Sequence, residues 1–291
     1  MLADIQSKRL VTDTGSISQI ITDRRHAAVI RVIRYLHSNL KMELNLETLA
    51  EIACCSRCHL VRIFANQTGV TPMNYLSSLR IQAAKSVLLQ TDEKVINIAY
   101  DVGYSSLGSF GRRFAELVGL SPRALRKGAR LFDSREFRDI LSTYAEMSAA
   151  APVPDALSGT IRSDDGMQPP GFAFIGIFKG NQPSGMPVSC TIARYPGTFH
   201  LPRPRPWRGE DKLTFLAAGI PCTGDPKSIL LSRNLLLARK AYTADAPLRS
   251  NAITLRKQSE SEPPVLLALP LLLQGRPASR SSQSASVMAA E

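Results

Sequence analysis

The sequence predicts two domains, an all-α region followed by an all-β sandwich. Before about residue 128, apolar residues recur every three or four positions, as they do on one face of a helix. After residue 155 they stand in short runs between glycine and proline residues, as they do in strands. The charge changes at the same place: residues 24–130 hold 16 Lys/Arg against 7 Asp/Glu, or +9, whereas residues 131–291 hold 18 against 14, or +4. A length of 291 residues fits two domains of about 100–200 residues each.

Four helices are predicted in order along the first region. The first has one apolar face, made of Ile30, Ile33, Leu36 and Leu40. Asn45 stands where a second helix needs an N-cap, and Ser56 caps a third helix that ends at Gly69. Thr71 and Pro72 supply the cap and the first residue of a long fourth helix.

An internal repeat with an offset of 50 residues gives the strongest indication of architecture. The aligned pairs are Ser56 with Ser106, Leu60 with Phe110, Arg62 with Arg112, Phe64 with Phe114, and Gly69-Val70-Thr71-Pro72 with Gly119-Leu120-Ser121-Pro122. A helix cap, an apolar helix face, a glycine stop and a second cap with proline therefore recur in the same order. Each copy predicts a helix-turn-helix unit, whose second helix enters the major groove of DNA in proteins of this type.

The second copy also carries a longer signature. Its residues are Ile98-Ala99-Tyr100-Asp101-Val102-Gly103-Tyr104-Ser105-Ser106, Phe110, Arg112-Arg113-Phe114 and Gly119-Leu120-Ser121-Pro122. This pattern resembles the second unit of the AraC/XylS transcription regulators, and the resemblance covers about residues 25–128. It implies two helix-turn-helix units, joined by a long helix at residues 72–90, that read two successive major-groove faces of double-stranded DNA.

The resemblance also assigns candidate contacts by position. The base-facing candidates are Cys58, Val61 and Arg62 in the first unit, and Leu107, Gly108, Gly111 and Arg112 in the second. We favour Arg62 and Arg112 as base readers, because a guanidinium can donate to both the O6 and N7 atoms of guanine. The cations expected to bind phosphate, or else to be merely solvated, are Arg57, Arg113, Arg123, Arg126 and Lys127. Because the side chains of Leu107, Gly108 and Gly111 cannot donate to bases, the second unit either reads thymine methyl groups and DNA shape or chiefly anchors the protein.

The cysteines and the overall composition exclude several other classes of protein. Five cysteines, with three crowded at Cys54, Cys55 and Cys58, do not form the disulfide framework of a small secreted domain. The segment 55–59 matches the c-type haem attachment pattern, and these cysteines with His59 suggest zinc binding or redox sensing; we favour small buried cysteines instead. Pro221-Cys222-Thr223-Gly224 lacks the histidine and arginine of the alkyl-acceptor motif of some relatives. We expect no cofactor and no metal.

The first residues of the chain and the lengths of its apolar runs indicate the cellular compartment. The first residues lack the basic and apolar segments of a secretory signal, and no apolar run reaches the roughly 20 residues of a membrane span. A net charge of +12 favours a polyanionic partner. We therefore expect a cytoplasmic protein that is not bound to a membrane.

The second region is interpreted as an accessory β domain. Its predicted strands are Leu157 to Ile161, Phe172 to Phe178, Val188 to Ile192, Leu213 to Ala218 and Ala252 to Leu255. The second of these strands is apolar on both faces, which predicts burial on both sides. The patterns at 158–161, 185–188 and 197–202 resemble the prealbumin-like sandwich of carboxypeptidase regulatory domains, from which the insertion 203–208 departs. No acid/base pair or nucleophile triad stands out, so no catalytic residue is predicted.

The sequence thus predicts a sequence-specific DNA-binding transcription regulator that places two recognition helices in successive major grooves. The predicted segments are an N-terminal extension at 1–23, the double helix-turn-helix domain at 24–128, a linker at 129–156, the β domain at 157–258 and a disordered tail at 259–291. We expect the region 20–130 to fold and bind DNA alone. By the resemblance, the partners are double-stranded DNA and RNA polymerase, and the β domain senses a small-molecule effector or joins two copies of the chain. A third reading of the β domain is a stabilising module that binds no ligand. The alternative is an interaction or scaffold protein that does not bind DNA.

Overall fold

Eight helices and seven strands are present in the described part of the computed structural model. It describes residues 2–131, 134–150, 156–164, 171–203, 212–221, 231, 235–242, 252–268 and 271, and only the backbone in 2–18. The helices are α1 Leu2–Ser38, α2 Leu46–Ala53, α3 Arg57–Thr68, α4 Pro72–Gln90, α5 Val95–Asp101, α6 Leu107–Val118, α7 Pro122–Arg130 and α8 Ser134–Ala150. The strands are β1 Leu157–Ser163, β2 Gly171–Lys179, β3 Ser189–Tyr195, β4 Gly197–Leu201, β5 Leu213–Pro221, β6 Leu236–Tyr242 and β7 Ala252–Lys257. Over the described ranges, no helix is long and apolar enough to cross a membrane.

The chain divides into two compact units, and the boundary falls within α4. The first unit holds residues 1–79 and 260–263, and the second holds the other described residues. Apolar side chains from α1, α2, α3 and the start of α4 form the core of the first unit. Phe64 and Tyr75 meet there edge to face, with 5.5 Å between ring centroids. Ile33 and Leu36 of the predicted apolar face of α1 are fully buried, which confirms that face.

The second unit contains the second helix-turn-helix and the β-rich region. The core of the helical part comes from the second half of α4, from α5 to α7, and from Leu266 and Ala268. Phe110 and Phe114 fill its centre, and their ring centroids lie 5.5 Å apart. The repeat predicted from the sequence is confirmed, because the second copy folds with the cap, the helix and the glycine stop of the first.

The seven strands form a barrel-like sheet in the order β3-β2-β5-β6-β7-β1-β4. All pairs are antiparallel except β1 with β7. The two edge strands, β3 and β4, follow one another in the chain with only Pro196 between them. Every strand contributes side chains to one interior cluster, which includes Ile175, Phe199, Phe215 and Leu255. The coarse prediction of a β-rich C-terminal region is therefore confirmed, and the prealbumin-like sandwich stays a prediction.

Helix α8 lies within the predicted linker 129–156 and also covers the outer face of this sheet, so the segment contributes to the core of the second unit. Phe137, Leu141 and Ala145 follow one another at intervals of four and lie on one face of α8. They pack against outward-facing side chains of β2, including Phe172 and Phe174. Strand β2 is buried on both faces as predicted, by the interior cluster on one side and by α8 on the other.

The prediction of a disordered tail from residue 259 is wrong over its first ten residues. Residues 259–268, which we call the C-terminal strap, follow β7 with a turn at 260–262 and then continue as irregular chain. Leu266, Leu267 and Ala268 are buried, because the aliphatic run of the strap has apolar surface to cover on two sides. Other predictions for 204–208, for 222–224 and for the end of the tail lie outside the described residues.

Candidate nucleic-acid interface

Side-chain caps and glycine stops set the limits of α3 and α6. The Ser56 hydroxyl accepts a hydrogen bond from the His59 amide at 3.3 Å, and the Ser106 hydroxyl accepts one from the Ser109 amide at 3.2 Å. Each helix ends at a glycine in the left-handed region, Gly69 at φ 79° and Gly119 at φ 85°. A non-glycine residue at this position would be strained. These local features explain why the repeat was visible in the sequence.

The turns before the two helices differ in one respect. Cys54 occupies the left-handed conformation after α2, at φ 54°, whereas Gly103 takes this role after α5, at φ 89°. From the left-handed residue to the serine cap, the second unit (103 to 106) is one residue longer than the first (54 to 56), so the 50-residue offset holds only from the caps of α3 and α6 onward. Cys54 therefore holds a backbone conformation that favours glycine.

The outer face of α3 presents a mixed polar surface. Cys58 and Arg62 are exposed, and Val61 is half-buried. The Arg62 guanidinium donates to Nδ1 of His59 at 3.2 Å, so its charged end lies along the helix surface. Arg57 is exposed and forms an ion pair with Glu47. A backbone hydrogen bond, and then the Arg57 guanidinium, lower the pKa of Glu47.

The outer face of α6 carries smaller side chains than that of α3. Leu107 is 42% exposed, and Gly108 and Arg112 are also exposed. A Cβ atom added at Gly108 or at Gly111 would meet nothing within 4 Å. Arg112 is therefore a long cationic side chain on a face whose two glycines have no side chains.

The predicted phosphate-binding cations are in unequal situations. Arg123 and Lys127 are exposed on α7. Arg113 forms an ion pair with Glu116 at 2.8 Å. Arg126 donates to the carbonyl oxygens of Leu88 and Glu93, at 3.4 and 2.6 Å. Arg126 thus ties α7 to the end of α4, a structural role that its sequence context does not reveal.

Two buried polar side chains hold the C-terminal strap and were missed by the sequence analysis. The Lys85 amine, only 1% exposed, donates to the carbonyl oxygen of Leu266 at 3.0 Å, and burial lowers its pKa to about 7. The Tyr75 hydroxyl donates to the carbonyl oxygens of Glu260 and Glu262, at 3.1 and 3.4 Å. Burial, and then the charges of these two glutamates, raise the pKa of Tyr75 to about 12. The bonded residues are more than 180 positions apart in the chain, so no local pattern could have indicated the contacts.

The expectation that the crowded cysteines are buried is wrong, because none of the three is fully buried. Cys54 and Cys58 are exposed, and Cys55 is half-buried. Burial, and then the neighbouring Cys54, raise the pKa of the Cys55 thiol. In the part of the chain that the structure describes, no three His, Cys, Asp or Glu residues converge as metal ligands.

Comparison with known proteins identifies this region. Residues 49–128 match the family model described as a helix-turn-helix domain. The transcriptional activator RhaS of Mannheimia succiniciproducens is 38% identical over 96 residues, which are 33% of this chain and 36% of the relative. The XylDLEGF operon transcriptional activator 2 of Pseudomonas putida is 29% identical over 138 residues, which are 45% of this chain and 87% of the relative. This region is an AraC-type helix-turn-helix domain.

Each of these matches covers less than half of the chain. The chain spans 36–45% of the length of several curated relatives that it matches. A solved AraC-type regulator from Chromobacterium violaceum covers 36% of this chain and 93% of its own, with 24% identity and a TM-score of 0.34. The AraC-type resemblance expected from the sequence is confirmed for residues 49–128, and these comparisons leave the role of the β-rich region open.

Proposed function

We propose that the protein is a sequence-specific DNA-binding transcription regulator that reads DNA with α3 and α6. The observation that carries this proposal is the repeated unit, in which a capped helix turns an exposed face outward and places one arginine on it, Arg62 or Arg112. A helix of this kind fits the major groove, where a guanidinium can recognise guanine. The names of the similar activators support the same conclusion.

The charge of the helical region supports DNA as the partner. Its net charge of +9 and the exposed cations of α7 suit a phosphate backbone. Two reading helices in one chain predict that a single copy covers two major-groove faces about one helical turn, roughly 34 Å, apart. The site on DNA is then asymmetric and needs no palindrome. RNA polymerase is the proposed protein partner at the promoter.

The β-rich region is proposed to regulate this activity. We infer a prealbumin-like sandwich, since β4-β1-β7 and β3-β2-β5-β6 both send side chains into the interior cluster. Its role is either to sense a small-molecule effector or to join two copies of the chain. One opening near the sheet, about 270 Å³ in volume, is lined by residues of α8, β3 and β4, among them Arg194 and His200. Its size suits only a small effector.

DNA binding is tested with the full chain. Sites are first selected from a pool of randomised DNA duplexes, and affinity is then measured by fluorescence anisotropy on a selected duplex and on a scrambled one. Arg62→Ala and Arg112→Ala are each expected to cost about 1–3 kcal/mol on the selected duplex, and much less on the scrambled one. Lys257→Ala removes one exposed charge from β7 as the matched control and is expected to change neither affinity.

The outcomes separate the proposal from the scaffold alternative. Enrichment of one sequence, with different half-sites affected by the two arginine variants, supports reading by both helices. Equal losses on both duplexes would mean that the arginines bind phosphate, and the assignment of base readers would be wrong. A pool without any enrichment, together with no retention of DNA at low salt, would favour the interaction protein that does not bind DNA.

A further inference from the structure

The C-terminal strap places alternate side chains in two different cores of the second unit. Leu266 and Ala268 belong to the core of the second helix-turn-helix. Val265 and Leu267 pack instead with the cluster formed by α8 and the outer face of the sheet. The side chains of 265–268 thus alternate between the two clusters, as they do where successive side chains point to opposite sides of the chain. The strap is therefore a shared layer between the reading unit and the β-rich region.

The end of α6 is held by the same region of the chain. The last carbonyl groups of a helix have no partner within the helix. At the end of α6, the Glu116 carbonyl accepts from the Gly185 amide at 2.8 Å, and the Val118 carbonyl accepts from the Ala268 amide at 3.0 Å. Gly185 lies between β2 and β3, and Ala268 ends the strap. Two segments outside the helical domain thus complete the hydrogen bonding of a reading helix.

A side chain of α4 forms a third attachment to the strap. Lys85 of α4 donates to the Leu266 carbonyl, so the backbone at this position is bound while its side chain fills the core beside Phe110 and Phe114. A buried polar group is costly unless it is hydrogen-bonded, and the Leu266 carbonyl supplies such a partner to the Lys85 amine. The preceding residues of the strap are held in the first unit by the Tyr75 hydroxyl.

We propose that the C-terminal strap is the device through which the β-rich region sets the position of the reading helix α6. When the strap is seated, Leu266 and Ala268 complete the core under α6. When it is displaced, α6 loses part of that core and the partner of its last carbonyl group. A change in the sheet or in α8 then reaches α6 through Leu267, which is adjacent to Leu266 in the chain. The proposal depends on DNA binding only for its functional consequence.

A matched pair of variants tests this coupling in the full chain. Leu266→Ala and Leu267→Ala remove the same atoms from adjacent, fully buried positions that face different cores. Amide hydrogen exchange is followed by mass spectrometry in α5–α6 and in β2–β5. Leu266→Ala is expected to speed exchange in α5–α6 by at least about thirtyfold, which corresponds to about 2 kcal/mol at 1.4 kcal/mol per tenfold. Leu267→Ala is expected to speed exchange chiefly in the sheet.

Equal effects of the two variants on α5–α6, or unchanged exchange there in Leu266→Ala, would overturn the proposal. If either alanine variant fails to fold, Leu266→Val and Leu267→Val provide the same comparison with a smaller change. A second experiment maps the bound protein on the selected duplex by nuclease footprinting. Leu266→Ala is expected to leave one of the two half-sites open to cleavage. If the full chain selects no DNA at all, the proposed function fails, while the exchange measurements still decide the role of the strap.

Discussion

Replacing Lys85 by methionine is expected to abolish a pH dependence of folding that the wild-type chain carries. Lys85 is fully buried, and burial lowers the pKa of its amine to about 7 in the folded state. In the unfolded chain a lysine titrates near 10.4. Between these two values the unfolded state binds a proton that the folded state has released. The free energy of unfolding therefore rises with pH in this window.

The size of the effect follows from the two pKa values. Between pH 7 and pH 8 Lys85 of the folded protein gives up most of the proton that it still carries at pH 7, and the free energy of unfolding rises by about 1 kcal/mol. From pH 8 to pH 9 it rises by a little over 1 kcal/mol more, so the total is about 2 kcal/mol. Well below pH 7 the amine is charged in both states, and the contribution no longer changes. Methionine has a similar length and no charge, so its variant lacks this term.

Urea unfolding of the full chain, followed by circular dichroism at pH 7, 8 and 9, measures the difference. All other titrating groups are shared by the two proteins, so the gap between them isolates Lys85. Lys85→Met is expected to be the more stable at pH 7, and its advantage is expected to shrink by about 2 kcal/mol at pH 9. Lys127→Met, which removes an exposed lysine from α7, serves as the control and should show a constant gap. A constant gap for Lys85→Met as well would refute the reasoning.

Five other substitutions test the outer face of α6, the turn after α2 and the cations of α7. Gly108→Ala and Gly111→Ala each add a methyl group in open space on α6. Because alanine favours a helix more than glycine does, each should raise the free energy of unfolding by about 0.5–1 kcal/mol while weakening binding to the selected duplex. Unchanged binding would place this face of α6 outside the groove. Cys54→Gly should raise stability in thermal melts by about 1 kcal/mol, because it relieves the left-handed conformation, whereas an alanine there should give no such gain. Arg126→Ala should lower the free energy of unfolding by about 1 kcal/mol, because it removes two hydrogen bonds, and should change the salt dependence of DNA binding little. Lys127→Ala should instead flatten the log–log slope of DNA affinity against salt concentration by about one unit. Reversed behaviour would contradict the roles inferred from the contacts of these two side chains.

Local features of the helical region could be predicted from the sequence. Ser56 and Ser106 cap their helices as expected, and Gly69 and Gly119 end them. These features act within a few residues, so each leaves its own signal. The base-facing assignments rest on the family resemblance and remain predictions, although the structure places the α6 candidates on one open surface.

Contacts between residues far apart in the chain could not be predicted, because neither partner alone indicates the other. The spacing of Phe137 and Leu141 predicts a helix but not the sheet that the helix covers. The aliphatic run around Leu266 was visible, yet nothing near it indicates a buried partner such as Lys85. For the same reason the expectation that 20–130 folds alone omitted part of its core. A fragment that ends near residue 130 lacks Leu266 and Ala268.

The position of the strap in the chain also orders events during synthesis. A ribosome makes the reading helices first, and domains generally begin to fold as they emerge. The core under α6 nevertheless includes Leu266 and Ala268, which are translated only after all seven strands. A nascent chain, or a product truncated within the β-rich region, therefore carries an incomplete second unit.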